Sequence, residues 1–169
     1  MNPSSFEFRA IYALPVLALF AVTMSGCSEP ASHTLDGAPD GNAELLTVEG
    51  GKERTVEHTN GGFLEVIEQS DRVVLIDFWG PHCGPCVHMA PELEQIAQEY
   101  QDEVSVVKVN VESSRNAELV SYFGIRAVPH LQIYVNGRQM GMTLGYANAG
   151  RIAAAMQPAL KVLAGSSGE

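Results

Sequence analysis

Two cysteines with two residues between them, Cys83-Gly84-Pro85-Cys86, sit between an apolar run and an amphipathic one. The run before them is Val73-Val74-Leu75-Ile76-Asp77-Phe78-Trp79; the run after them is Met89-Ala90-Pro91-Glu92-Leu93-Glu94-Gln95-Ile96-Ala97. A strand that delivers a Cys pair to the start of a helix constrains both fold and chemistry. The helix N-terminus leaves backbone N–H groups unpaired and carries about half a positive charge. Both favour a thiolate over a thiol. A free cysteine titrates near ~8.5 and the first cysteine of such a motif near ~7, so the ionised fraction at neutral pH rises from about 3% to about half. The spacing also lets the second thiol attack a mixed disulfide formed by the first.

The chain has three cysteines in 169 residues, Cys27, Cys83 and Cys86. A disulfide-stapled scaffold needs more. A closed zinc site needs two further ligands and a c-type haem site needs His after the second cysteine, where Val87 stands. His82 and His88 flank the pair and keep zinc open as an alternative, but the expectation is no metal and no organic cofactor. The formal charge of −10 argues against nucleic acid, whose phosphates require a basic surface.

Residues 1–26 carry Arg9, an apolar segment over 10–24 interrupted by Pro15, and Ser25-Gly26 before Cys27. The segment is shorter than the ~20 residues of a spanning helix and reads as an export signal. Met24-Ser25-Gly26-Cys27 resembles the lipobox of bacterial lipoproteins, with Met24 where Leu is usual. The resemblance implies cleavage before Cys27 and its acylation; an ordinary secretory signal or an uncleaved anchor are the alternatives. Ser28 after the cysteine implies the outer rather than the inner membrane if the host is Gram-negative. Residues 27–52, rich in Ser, Pro, Gly, Ala and Asp, read as a flexible tether, and 165–169 as a disordered tail.

The domain proper is expected over 53–164. A first strand is expected at 53–58 and a short helix at 62–69, with Phe63, Val66 and Ile67 on one face. The run 73–79 suits a strand buried on both faces, and 85–100 a helix whose Met89, Leu93, Ile96 and Ala97 recur every three or four residues. A strand at 104–111 and a helix at 117–123 follow. Strands at 131–135 and 139–144 flank Asn136-Gly137, the type I′ hairpin signal. A helix at 148–163 capped by Asn148 closes the chain. Alternating strands and helices ending in a hairpin indicate an α/β sandwich with a mixed sheet flanked by helices.

These residues resemble the thioredoxin family over nearly the whole domain. The match is carried by Asp77-Phe78-Trp79-Gly80-Pro81-His82-Cys83-Gly84-Pro85-Cys86 with Pro91. It extends through Lys108-Val109-Asn110-Val111, Gly124-Ile125-Arg126-Ala127-Val128-Pro129, Asn136-Gly137 and Gly145. The resemblance implies the thioredoxin fold and thiol–disulfide exchange. It casts Cys83 as the attacking thiol, Cys86 as the resolving thiol and disulfide partner, and Asp77 as the buried acid behind them. Lys108 would be the neighbour of that acid and Trp79 the shield of the site. Pro129 would be the cis-proline, with Val128 beside it receiving the substrate chain. For Asp77 an inert hydrogen-bonded carboxyl, and for Lys108 a solvated strand-end lysine, are the competing readings.

Three positions depart from the family pattern. His82 replaces a tryptophan; as an imidazolium it would stabilise the Cys83 thiolate and make the disulfide more oxidising, or it is a solvated loop histidine without effect. Val87 replaces a basic residue, which acts in the opposite direction. His130 follows Pro129, placed either to meet substrate, to tune Cys83 or simply to pack. The expectation is a monomeric, lipid-anchored protein-disulfide reductase facing the periplasm. Its partners would be disulfide-containing envelope proteins and a membrane thiol-electron donor. An oxidase or isomerase of the same fold, or a non-catalytic binding module, are the alternatives.

Overall fold

The computed structural model describes residues 43–49, 52–58, 67–68 and 70–166. The export segment, Cys27, most of the expected 62–69 helix including Phe63 and Val66, and residues 167–169 lie outside the described residues. Ile67 and Glu68 are helical, as expected.

Six strands form one mixed sheet in the order β2-β1-β4-β3-β5-β6. They are β1 (Ala43–Glu49), β2 (Lys52–His58), β3 (Val73–Trp79), β4 (Val104–Asn110), β5 (His130–Val135) and β6 (Arg138–Leu144). Only β3 and β4 pair in parallel; β1 runs antiparallel to β2 and β4, and β5 antiparallel to β3 and β6. The helices are α1 (Gly84–Glu99), α2 (Ala117–Tyr122), led in by a 3₁₀ turn at Ser114–Asn116, and α3 (Ala149–Ser166).

Each of β3, β4 and β5 buries both faces, and side-chain alternation sorts them into two cores. Val73 and Leu75 of β3, Val104 and Val106 of β4, and Leu131, Ile133 and Val135 of β5 meet Met89, Leu93 and Ile96 of α1 and Ile152 and Met156 of α3. On the other face Val74, Ile76 and Phe78 meet Val107, Val109, Tyr134, Ile67 and Leu119 of α2. Each fully buried Leu, Ile or Phe contributes roughly 1.5–3 kcal/mol relative to exposure. Positive φ at Asn136 and Gly137 forms the β5–β6 turn, as the Asn-Gly pair requires. Asn148 caps α3, its side-chain oxygen accepting from the Arg151 N–H at 2.9 Å.

Two boundaries differ from expectation. β1 falls inside the stretch read as tether, so 53–58 is the second strand and lies at the sheet edge. β1 is an interior strand, bonded to β2 on one side and β4 on the other. The β1–β2 ladder runs from the pairing of Ala43 with His58 to that of Glu49 with Lys52. α3 continues to Ser166, two residues into the expected tail; the Ser166 hydroxyl donates to the Leu163 carbonyl at 2.8 Å and secures the last turn.

Candidate active site

β3 ends at Trp79, and Gly80-Pro81-His82 carries the chain up to Cys83. A turn closes there, the Cys83 N–H donating to the Gly80 carbonyl at 3.1 Å. Cys83 is the N-cap of α1, in extended conformation at φ −90°, ψ 99°. Pro85 lies in the first turn, where its missing N–H leaves nothing unsatisfied. Cys83 and Cys86 are joined by a disulfide. Cys83 is half-buried, while Cys86 is buried with 3% of its surface exposed. The Cys86 N–H donates to the Cys83 sulfur at 3.2 Å. That N–H is shared with the Cys83 carbonyl at 3.0 Å, and a negative sulfur at the helix start gains both part of its hydrogen bond and the helix dipole. Cys83 thus caps the helix start, and Cys86 is the inaccessible one of the pair.

Asp77 sits two residues before Trp79 on the face of β3 that α1 covers, in line with Val73 and Leu75. It is 1% exposed and its Oδ1 has no hydrogen-bond partner among the described residues. Burial pushes its carboxyl up from 3.8 to about 7, with the positive charge of Lys108 pulling the other way. Lys108 is the direct cross-strand neighbour of Asp77 in the β3–β4 register. It is buried, and its ammonium lies 4.7 Å from the centroid of the Trp79 ring, a cation–π contact. The solvated-lysine reading therefore does not hold. The Trp79 indole Nε1 is buried without a partner among the described residues.

The Val128–Pro129 bond is cis. Pro129 is buried, and Val128 packs at the margin of the second core. The pairing of Phe78 with His130 brings the proline to the end of the sheet where β3 delivers the cysteines. The Gly145 N–H donates to the Pro129 carbonyl at 2.8 Å; Gly145 has φ +76°, a conformation that favours glycine. His130 lies on the opposite sheet face from Asp77, edge-on to Phe78 at 6.2 Å and beside Gln132. Burial lowers its pKa below 6.5. It is a packed core histidine. His88 is exposed on α1, and among the described residues no cluster of three or more His, Cys, Asp or Glu side chains is placed to hold a metal ion.

His82 is not simply solvated. Its ring Nδ1 lies 2.6 Å from Glu112 Oε2, and its backbone N–H donates to Glu112 Oε1 at 3.4 Å. Glu112 comes from the loop after β4, where its own N–H donates to Asn110 Oδ1 at 2.9 Å. The bond to His82 is the main cause holding the Glu112 carboxyl below 4.5. A Cβ on Gly80 would stand 2.5 Å from Glu112 Oε1, so the glycine makes room for the carboxylate. Thirty residues separate Glu112 from His82. No local pattern marks Glu112, and it is the one residue of the site that the sequence reading missed.

Comparison with known proteins matches this assembly. The thioredoxin family model matches residues 54–158. Thioredoxin 1 of Nostoc sp. is 41% identical over 87 residues, 52% of this chain and 79% of that protein. The thioredoxin of Alicyclobacillus acidocaldarius is 42% identical over 92 residues, 54% of this chain and 85% of that protein. The thioredoxin of Rickettsia prowazekii is 36% identical over 87 residues, 52% and 81% respectively. With a redox-active Cys pair capping a helix over a buried acid, the chain belongs to the thioredoxin family and is a thiol–disulfide oxidoreductase.

Proposed function

We propose that this protein is a membrane-anchored reductase of disulfides in cell-envelope proteins. The observation that carries the catalytic part is the Cys83–Cys86 couple at the head of α1, with Asp77 protonatable near neutrality on the face beneath that helix. In the reduced protein the Cys83 thiolate attacks a substrate disulfide. A Cys83–substrate bond forms and the first substrate thiolate leaves and takes up a proton. Asp77 accepts the proton of Cys86, whose sulfur then attacks the Cys83 sulfur. The second substrate thiolate leaves and takes up the proton held by Asp77, the Cys83–Cys86 disulfide closes, and the substrate has gained two electrons, one proton from Cys86 by way of Asp77 and one from solvent. Exchange of this kind needs no metal or organic cofactor. Trp79 and Lys108 shield Asp77, and Val128 and Pro129 border the place where a substrate chain approaches.

The reducing direction is supported by the Gly84-Pro85 dipeptide, which resembles that of thioredoxins. Their potential lies near ~−270 mV, against ~−120 mV for the strong periplasmic oxidant, a gap of about 7 kcal/mol. The envelope location is supported by the export-type segment at 1–26 and by Cys27 in a lipobox-like setting. Several acyl chains at about 0.8 kcal/mol per buried CH₂ anchor firmly. A reductase there draws its electrons from a membrane thiol donor fed from the cytoplasm, and works as a monomer.

Insulin reduction tests the chemistry: the wild type turns over and Cys83→Ser does not. Equal turnover by both removes Cys83 from the mechanism. Equilibration with glutathione tests direction; a potential above about −180 mV selects the oxidase or isomerase instead. Mass spectrometry of the mature N-terminus tests the anchor, and an unmodified Cys27 refutes it.

A further inference from the structure

Glu112 is tied to the loop that presents Cys83 by two contacts, one to the His82 ring and one to its backbone N–H. Gly80 leaves the space it occupies. The outcome is a carboxylate and an imidazole in contact, on the residue immediately before the attacking sulfur. Taken alone, a protonated His82 would draw negative charge onto Cys83 and shift the couple toward oxidant behaviour. With that ring protonated, a carboxylate against it replaces the cation the sulfur would experience by a nearly neutral pair.

We propose that Glu112 is a positioning residue for the exchange reaction, acting through His82: its carboxylate cancels the charge that His82 would present to Cys83 and keeps the couple reducing. The inference rests on Cys83 being the attacking thiol. Glu112 does not touch the reacting sulfurs; it sets the charge of the residue that adjoins them. The departure of His82 from the family pattern is thereby compensated within the same loop pair, thirty residues away in sequence.

The charges act on Cys83 in opposite directions, and a double-substitution cycle reads this. The proteins are the reduced full-length chain in a Cys86→Ser background, alone and with Glu112→Gln, His82→Gln or both. Gln at 112 keeps the length and an acceptor oxygen for the His82 N–H, so the charge is lost but the tether is not. The readout is the pH midpoint of iodoacetamide alkylation at the Cys83 peptide, followed by mass spectrometry at low ionic strength. The other ionisable groups at this end of the sheet, Asp77, Lys108 and the exposed His88, are the same in all four proteins and cancel from the comparison.

Glu112→Gln lowers the midpoint by about half a pH unit, a threefold change in thiolate fraction, the effect of a unit charge across roughly 7 Å of water-like dielectric. His82→Gln leaves the carboxylate uncompensated and raises the midpoint by a similar amount. The double variant returns close to the starting value, and all shifts shrink at high salt. If both single substitutions move the midpoint in the same direction, the contact acts only as a structural tether and the inference is overturned. Unchanged midpoints overturn it as well. A starting protein whose Cys83 titrates like an ordinary thiol overturns the active-site reading and this inference with it, an outcome distinct from the other two.

Discussion

Replacing Asp77 by Asn removes a carboxyl that the folded protein holds under strain of charge at neutral pH. In the native state the group keeps its proton up to about 7, against an ordinary 3.8. The gap is about three units, and at about 1.4 kcal/mol per unit it amounts to roughly 4 kcal/mol. The sign follows from proton counting. Between the two values the unfolded chain has released the proton and the native chain retains it, so stability falls as pH rises through this window. Above it the full penalty is present; below it the penalty disappears. Asn resembles the neutral carboxyl, so the variant escapes the penalty at every pH. Part of the gain is returned because the buried Lys108 loses its anionic neighbour. We therefore expect Asp77→Asn to exceed the wild type by less than about 1 kcal/mol near pH 4 and by about 2–4 kcal/mol above about pH 8. Urea unfolding of the oxidised proteins across this range measures it. A difference independent of pH would refute the buried-acid argument. The same variant is expected to slow the second step of exchange, because Cys86 loses its proton acceptor, while the first attack by Cys83 proceeds.

Two further perturbations follow from the packing. Leu93→Ala opens the contact of α1 with α3 and the sheet at a position 1% exposed, and should cost about 3–5 kcal/mol in urea unfolding; a loss below about 1 kcal/mol would show that α1 does not pack as described. Gly80→Ala puts a methyl against the Glu112 carboxylate, the movable end of an exposed side chain, and should displace it from His82. The Glu112 carboxyl, followed by NMR titration, should then rise back toward 4.5. The stability contributed by that contact is present above the ordinary value and lost as pH falls through the lowered one, so the variant should lose that part of its acid dependence. An unshifted Glu112 would show that the contact does not depend on the space left at Gly80.

The elements that were legible in the sequence are those whose signal is local. The apolar run ending at Trp79 and the cysteines before a helical apolar stripe gave β3 and α1 to within a residue. Asn136-Gly137 gave the hairpin because its residues accept positive φ. β1 was lost because four suitable residues, Leu45 to Val48, stand in a stretch whose composition is that of a linker. What makes them a strand is pairing with β4, more than fifty residues downstream. Its position after Pro129 leaves His130 open to meeting substrate, tuning Cys83 or simply packing; strand alternation selects packing, on the face against Phe78.

The sequence alone determined the chemistry that can occur: two thiols one helical turn apart, at a helix start that favours a sulfur anion, with an acid in the strand beneath. Those are consequences of neighbouring residues and of backbone geometry within one β–α unit. The tertiary structure decided how that chemistry is tuned. It buried Asp77 against Lys108 and Trp79, turned His130 into core, and set Glu112 on His82. Each of these depends on which strands lie side by side and on how much water remains between them, and the energy of a charge is governed by its distant neighbours and its dielectric surroundings rather than by the residues next to it in the chain.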